Sequence, residues 1–188
     1  TEKYTIHLSP LSFFLFSYLY VIIFIMKEGE TMRVANSLLL KDDKILLLFK
    51  QSRQKWFLPG GKAEFSENVL QTGCREFFEE TGLKLQNVEL GAVTTVVVEE
   101  ESNQKEWMLY TIKGTDATGV LNKVNREGTL EWHDIDKIDE LPMFEGDRFI
   151  IKHLISHNGP MVSTQFYTPS YDLIKIISSY DVTVEAAI

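Results

Sequence analysis

Between Gly61 and Leu83 the chain reads GKAEFSENVLQTGCREFFEETGL, a run that sets a glycine turn, a helix and a group of carboxylates in one register. Ser66 suits a helix N-cap and Gly82 the left-handed residue that closes one, so the spacing predicts a helix from Glu67 to Thr81. At roughly 100° per residue, Glu76, Glu79 and Glu80 share one side of that helix, next to an apolar stripe of Leu70, Gly73, Cys74 and Phe77. The carboxylates therefore sit where core meets solvent. Like charges at these spacings destabilise a helix by roughly 0.2–0.5 kcal/mol per pair, and Arg75, one turn before Glu79, offsets only part of this. A bound cation would remove the conflict. Clustered carboxylate oxygens suit a hard divalent ion, Mg²⁺ first and Mn²⁺ as the alternative. The competing reading is a solvated acidic face with no ligand.

The segment before the helix, Trp56-Phe57-Leu58-Pro59-Gly60-Gly61-Lys62, narrows the choice. Pro59 imposes an extended approach, and the paired glycines let backbone groups come close to a metal or a phosphate.

Together these residues resemble the Nudix box: glycine, five residues, glutamate, seven residues, then Arg-Glu-apolar-x-Glu-Glu-x-Gly-apolar, with every specified position met. The resemblance implies an α/β/α sandwich around a mixed sheet and hydrolysis of a diphosphate linked to another moiety, usually a nucleoside. It implies Mg²⁺ held by Glu76, Glu79, Glu80 and the carbonyl of Gly60. Arg75 would orient a carboxylate. Gly61, Glu67 and Gly82 would shape and brace the loop–helix junction. The general base of such enzymes is not always a box residue, so Glu76 and Glu127 are both candidates. The competing reading of Glu127 is a loop glutamate beside Arg126 and Gly128.

Secondary signals outside the box bear on the substrate. No proline occurs between Pro59 and Pro142, no tyrosine stands near positions 99 to 102, and FKQSRQKWFLP does not resemble the coenzyme A motif. The subfamilies marked by those features are thereby set aside, leaving a likeness to the MutT group that acts on nucleoside triphosphates. Leu141 to Asp147 resembles the place where oxidised-purine triphosphatases read the base, so Phe144 is a candidate for stacking and Asp147 for hydrogen bonding to the base edge. The alternatives are a core role for Phe144 and a helix cap for Asp147. Trp56 either lines the pocket or wedges the loop. Gly61 and Lys62 are candidate phosphate contacts. Phe57 departs from relatives that carry asparagine there.

Three functions follow: a MutT-type pyrophosphohydrolase cleaving a nucleoside triphosphate, oxidised or not, to monophosphate and pyrophosphate; the same chemistry on RNA 5′ ends or nucleotide sugars; and a non-catalytic nucleotide sensor. The last fits least, because degenerate Nudix-like sensors usually lose box glutamates and this chain keeps them.

Composition supports one sizeable core: 188 residues, 44% hydrophobic and 24% charged. A net charge of −8 argues against binding duplex nucleic acid, so a small nucleotide is the expected partner. The single cysteine, Cys74, cannot form an internal disulfide, and a reducing cytoplasm is the default expectation. Leu11 to Met26, LSFFLFSYLYVIIFIM, carries no charge but falls short of the roughly 20 residues that span a bilayer. Residues 1–31 are expected to lie outside the fold, either as a weak membrane anchor or as upstream sequence translated from a mis-set start ahead of Met32. A membrane partner is expected only in the first case.

The Nudix-like domain is expected over residues 32–160. It should contain strands at Arg33–Leu40, Lys44–Lys50, Val88–Glu99, Trp107–Lys113 and Thr129–Ile135, and a second helix at Asp147–Ser156. Residues 161–188 are expected to add a strand from Met161 to Thr168 and an amphipathic helix from Tyr171 to Tyr180. That helix would pack on its own domain, with homodimerisation the alternative.

Overall fold

Ile45, Leu46, Leu47 and Leu48 are all fully shielded from solvent, which a strand permits only when both of its faces are covered. They belong to β2 (Lys44–Lys50), joined to β1 (Met32–Lys41) by a two-residue turn in which Asp42 and Asp43 hold φ of 52° and 57°. Positive φ at both central residues is the turn whose twist matches that of paired strands. The computed structural model describes residues 32–99 and 104–179.

Along the chain follow β3 (Lys55–Phe57), β4 (Gly60–Lys62), α1 (Val69–Thr81), β5 (Leu83–Gln86), β6 (Glu89–Val98) and β7 (Lys105–Gly114). Then come β8 (Asp116–Gly119), β9 (Thr129–Asp134), a 3-10 turn (Ile135–Glu140), α2 (Glu145–Ser156), β10 (Met161–Tyr167) and β11 (Leu173–Ser178). The main sheet runs β11-β10-β6-β7-β1-β2-β3, with β4 on β1 and β9 on β2, while β5 and β8 form a separate pair. β1 with β7 and β6 with β10 are parallel and the other pairings antiparallel, so the sheet is mixed.

Alternation along the strands divides the core in two. Leu38, Ile45 and Leu47 pack with Ile150, Ile151 and Leu154 of α2, whereas Leu39, Leu46, Leu48 and Ile112 pack with Phe77 of α1. The helices thus cover opposite faces, as an α/β/α sandwich requires. Full burial of a phenylalanine such as Phe77 contributes about 2–3 kcal/mol. Gly73 brings α1 down onto the strands: a Cβ there would lie 2.5 Å from Ile112 Cδ1, and its carbonyl accepts a 3.0 Å bond from the buried Ser37 hydroxyl.

Two expected elements differ. The cap of α1 is Asn68 rather than Ser66: its side chain accepts from the Gln71 N–H at 2.9 Å, and the Gln71 side chain accepts from the Asn68 N–H at 2.9 Å. This reciprocal capping box starts the helix at Val69 and leaves Glu67 in the preceding loop. Gly82 closes the helix with φ of 74°, as its position suggests.

The second difference is at the C-terminal end, where the expected helix is the strand β11, antiparallel to β10. Leu173, Ile174, Ile176 and Ile177 fit either period, but three of the four are β-branched, and the open edge of β10 supplies backbone partners that a helix would leave unused. The expectations for residues 1–31, and for residues 180–188 of the C-terminal extension, fall outside the described residues. Among the described residues no helix is long and apolar enough to cross a membrane.

Candidate active site

The glycine pair at β4 is forced by close packing. A Cβ on Gly60 would lie 2.4 Å from the Ala35 carbonyl oxygen, and one on Gly61 would lie 2.5 Å from Cδ of Glu76. β4 pairs with β1, placing Gly60 opposite Asn36 and Gly61 opposite Ala35. The turn is therefore pinned between the sheet and the carboxylates of α1.

Arg75 organises the helix side. Its Nε donates to Glu67 Oε1 at 2.7 Å and its Nη2 to Glu67 Oε2 at 2.9 Å, a two-pronged contact from helix back to loop. The same guanidinium donates to Glu76 Oε1 at 2.8 Å and to the Lys62 carbonyl at 3.1 Å, and lies 3.6 Å from Glu79 Oε2. Glu67 also accepts from the Glu64 N–H at 2.9 Å and the Thr72 hydroxyl at 3.0 Å. The Arg75 hydrogen bond first, then that from Glu64, hold its carboxyl down at about 2. These contacts are those of a brace. The Lys62 side chain itself is exposed.

Glu80 has the opposite environment. It is 6% exposed, accepts from the Gly60 N–H at 2.7 Å, and lies 3.5 Å from the Lys50 ammonium. Burial raises its carboxyl to about 7, opposed by Lys50 and the Gly60 N–H and reinforced by the charges of Glu127 and Glu76. Lys50 also donates to Glu127 at 3.0 Å, so one ammonium joins a box glutamate to the loop before β9. Asn125 anchors that loop, donating to the Glu80 carbonyl and accepting from the Glu127 N–H at 2.7 Å.

Whether these residues suit a divalent ion can be judged from the charge balance. A buried carboxylate pushed up by burial and by two like-charged neighbours is a site that gains from added positive charge. The donors are all oxygen, as a hard cation requires. Among the described residues no three acidic side chains close into a ligand cluster. Arg75 draws Glu76 and Glu79 one way and Lys50 draws Glu80 and Glu127 another, so each carboxylate rests on a protein cation.

The remaining candidates divide between two places. Phe57 meets Phe144 edge-on, with ring centroids 5.7 Å apart, and Lys50 lies 5.8 Å above Phe57. These rings therefore adjoin the carboxylates. Trp56 points elsewhere, packing 5.0 Å from Phe49 and 4.2 Å from His133 against the larger core. Asp147, one turn beyond Phe144, does not cap α2; the cap position is Phe144 itself, with no side-chain hydrogen bond. Asp147 is half-buried, and burial raises its carboxyl to about 6.

Lys50 lies outside every motif of the sequence. Its role follows from the β2–β3 pairing, which sets Lys50 opposite Lys55 and carries it alongside Phe57, a contact that no spacing along the chain reveals.

The mixed sheet between two helices and the glycine-turned acidic helix are the features of a Nudix hydrolase, and a NUDIX domain model matches residues 30–154. The chain belongs to that family. It is 38% identical over 144 residues to the uncharacterized Nudix hydrolase YvcI of Bacillus subtilis, covering 76% of this chain and 91% of that protein. The crystal structure of a MutT protein from Bacillus halodurans superposes with a TM-score of 0.76 at 38% identity, over 80% of this chain and 99% of the other. A putative 8-oxo-dGTP diphosphatase 3 of Mycobacterium tuberculosis is 36% identical over 93 residues, 48% of this chain and 42% of that protein.

Proposed function

We propose that this protein is a Mg²⁺-dependent pyrophosphohydrolase that converts nucleoside triphosphates, oxidised ones among them, to nucleoside monophosphate and pyrophosphate. The reading is carried by one adjacency: Lys50 touches Glu80 and Glu127 on one side and the ring of Phe57 on the other, with Phe144 beyond. Acidic groups alone would accept many cations, and half-buried rings alone many flat ligands. Joined through a single ammonium, they suit a polyphosphate chain that ends in a planar base. The activity named for the Mycobacterium tuberculosis relative points the same way, over part of that protein's length.

Glu76, Glu79, Glu80 and the Gly60 carbonyl would hold the ion, which when bound supplies charge neutralisation on phosphate oxygens and a more acidic water. Arg75 keeps Glu76 oriented from its anchor on Glu67. Lys50 can turn from the carboxylates to a phosphate oxygen and position the chain for attack. A water oxygen adds to phosphorus as the bond between the α- and β-phosphates breaks. Glu127, paired with Lys50 and open to solvent, is the first candidate to accept the proton from that water; Glu76, already engaged by Arg75, is the second. Asp147 offers a carboxyl to the base edge: among the described residues no hydrogen bond or ion pair meets it, and burial raises it to about 6.

The test is a panel of canonical and oxidised nucleoside triphosphates, 5′-triphosphorylated RNA and ADP-ribose, each with and without Mg²⁺, scored for pyrophosphate and phosphate. Pyrophosphate and monophosphate from a nucleoside triphosphate, only with the metal, is the expected result. Activity confined to RNA ends or ADP-ribose would replace this reading.

A further inference from the structure

The row of rings continues past Phe144. Tyr171 lies 6.2 Å from Phe144 and 6.5 Å from Trp107, tilted to both, so Trp107, Tyr171, Phe144 and Phe57 lead in order toward Lys50 and Glu80. Basic side chains lie over three of these rings: Arg53 over Tyr171 at 5.9 Å, Lys55 over Phe144 at 5.2 Å and Lys50 over Phe57 at 5.8 Å. Long flexible cations are covers that an incoming planar group can displace, or that can close over its far face.

Tyr171 is held there at a conformational cost. It sits in the turn between β10 and β11 with φ of 66°, a region where a side chain costs roughly 1–2 kcal/mol and where glycine or asparagine is the usual choice. The turn is fixed around it: the Thr168 N–H donates to the Asp172 carbonyl at 3.0 Å, and the Tyr171 N–H to the Thr168 carbonyl at 2.9 Å. The Asp172 N–H donates to the Thr168 hydroxyl oxygen at 3.1 Å, and the Ser170 hydroxyl to the Asp172 carboxylate at 2.8 Å. Tyr171 is thus a bulky residue in the left-handed region, braced by its neighbours and set in an aromatic row.

We infer that Tyr171 is a specificity-determining wall of the nucleoside subsite. A purine stacks on the Tyr171 ring, Phe144 stands tilted beside it, and Arg53 swings over the outer face of the base. The inference rests on the nucleotide reading above and deepens it, placing substrate discrimination on the β10–β11 turn, well away from the metal-binding helix in sequence. A tyrosine serving only to pack against the larger core would be replaceable by leucine with no effect on ligand.

The test uses the full chain and four proteins: wild type, Tyr171→Phe, Tyr171→Leu and Tyr171→Ala. Binding of guanosine 5′-(α,β-methylene)triphosphate and of inorganic tripolyphosphate is measured by calorimetry, alongside GTP turnover and urea unfolding. Tyr171→Phe should bind the guanosine analogue within two-fold of wild type. Tyr171→Leu and Tyr171→Ala should each weaken it about ten-fold, the scale of one lost base–aromatic stack. Tripolyphosphate, having no base, should bind all four alike, and any change in GTP turnover should fall on KM with kcat held within two-fold. A wild-type urea midpoint in Tyr171→Leu separates the ligand effect from packing. Unchanged analogue affinity in the leucine and alanine variants, or equal weakening of analogue and tripolyphosphate, overturns the assignment. If wild type binds the analogue with this pattern but releases no pyrophosphate from GTP, the triphosphatase reading fails and the Tyr171 wall stands.

Discussion

Glu80→Gln removes one charge from the most buried carboxylate of the site while keeping its shape and an oxygen for the Gly60 N–H. Burial raises that carboxyl from its ordinary 4.5 to about 7, so in the folded, metal-free protein it ionises later than in the unfolded chain. For a group raised in this way, stability is greatest below the unfolded value and is lost as pH climbs through the folded one. The interval from 4.5 to about 7 corresponds to a loss of roughly 3 kcal/mol between about pH 4.5 and pH 7.5. Glutamine has no such transition. Urea unfolding in EDTA across that range should therefore show the variant gaining on wild type by about 3 kcal/mol as pH rises, whatever fixed offset separates them at pH 4.5. Adding Mg²⁺ above pH 7 should raise wild type and leave Glu80→Gln where it was. Parallel pH profiles for the two proteins would refute the claim that Glu80 is a strained, cation-seeking carboxylate.

Four further changes probe the turn, the helix start and the brace. Gly61→Ala places a methyl 2.5 Å from Glu76 Cδ and must displace that carboxylate, so kcat/KM should fall by about ten- to hundred-fold while circular dichroism stays native. Asn68→Ala loses the capping box and should cost about 1 kcal/mol in urea unfolding, whereas Ser66→Ala should cost much less; the reverse order would restore Ser66 as the cap. Arg75→Lys cannot keep the two-pronged contact with Glu67 and should lose about 2 kcal/mol in the same assay, with turnover falling as Glu76 loses its anchor.

The acidic helix and the glycine turn before it could be read from the sequence because they are local. Glu76, Glu79 and Glu80 lie along one helix with the glycine turn directly ahead, but Arg75 draws Glu76 and Glu79 one way and Lys50 draws Glu80 another, so helical geometry alone does not close them into a cluster among the described residues. The doubly buried β2 strand was equally legible from its unbroken aliphatic run. What escaped is long-range or ambiguous in period. Lys50 reaches Glu80 only through strand pairing, thirty positions away in the chain, and Tyr171 joins Phe144 only because β11 forms. The isoleucines of β11 match helix and strand spacing alike, and the open edge of β10 decided between them. Strands β3, β4, β5 and β8, of three or four residues each, are too short to show a hydrophobic pattern at all.

The central claim is that the carboxylates of α1 and the Gly60 turn hold a divalent cation against a substrate's phosphates. Crystals soaked in Mn²⁺ and measured for anomalous scattering test it most directly. The account expects a peak bounded by Glu76, Glu79, Glu80 and the Gly60 carbonyl in wild type, absent in Glu80→Gln. A wild-type peak elsewhere, or none at saturating Mn²⁺, would contradict it.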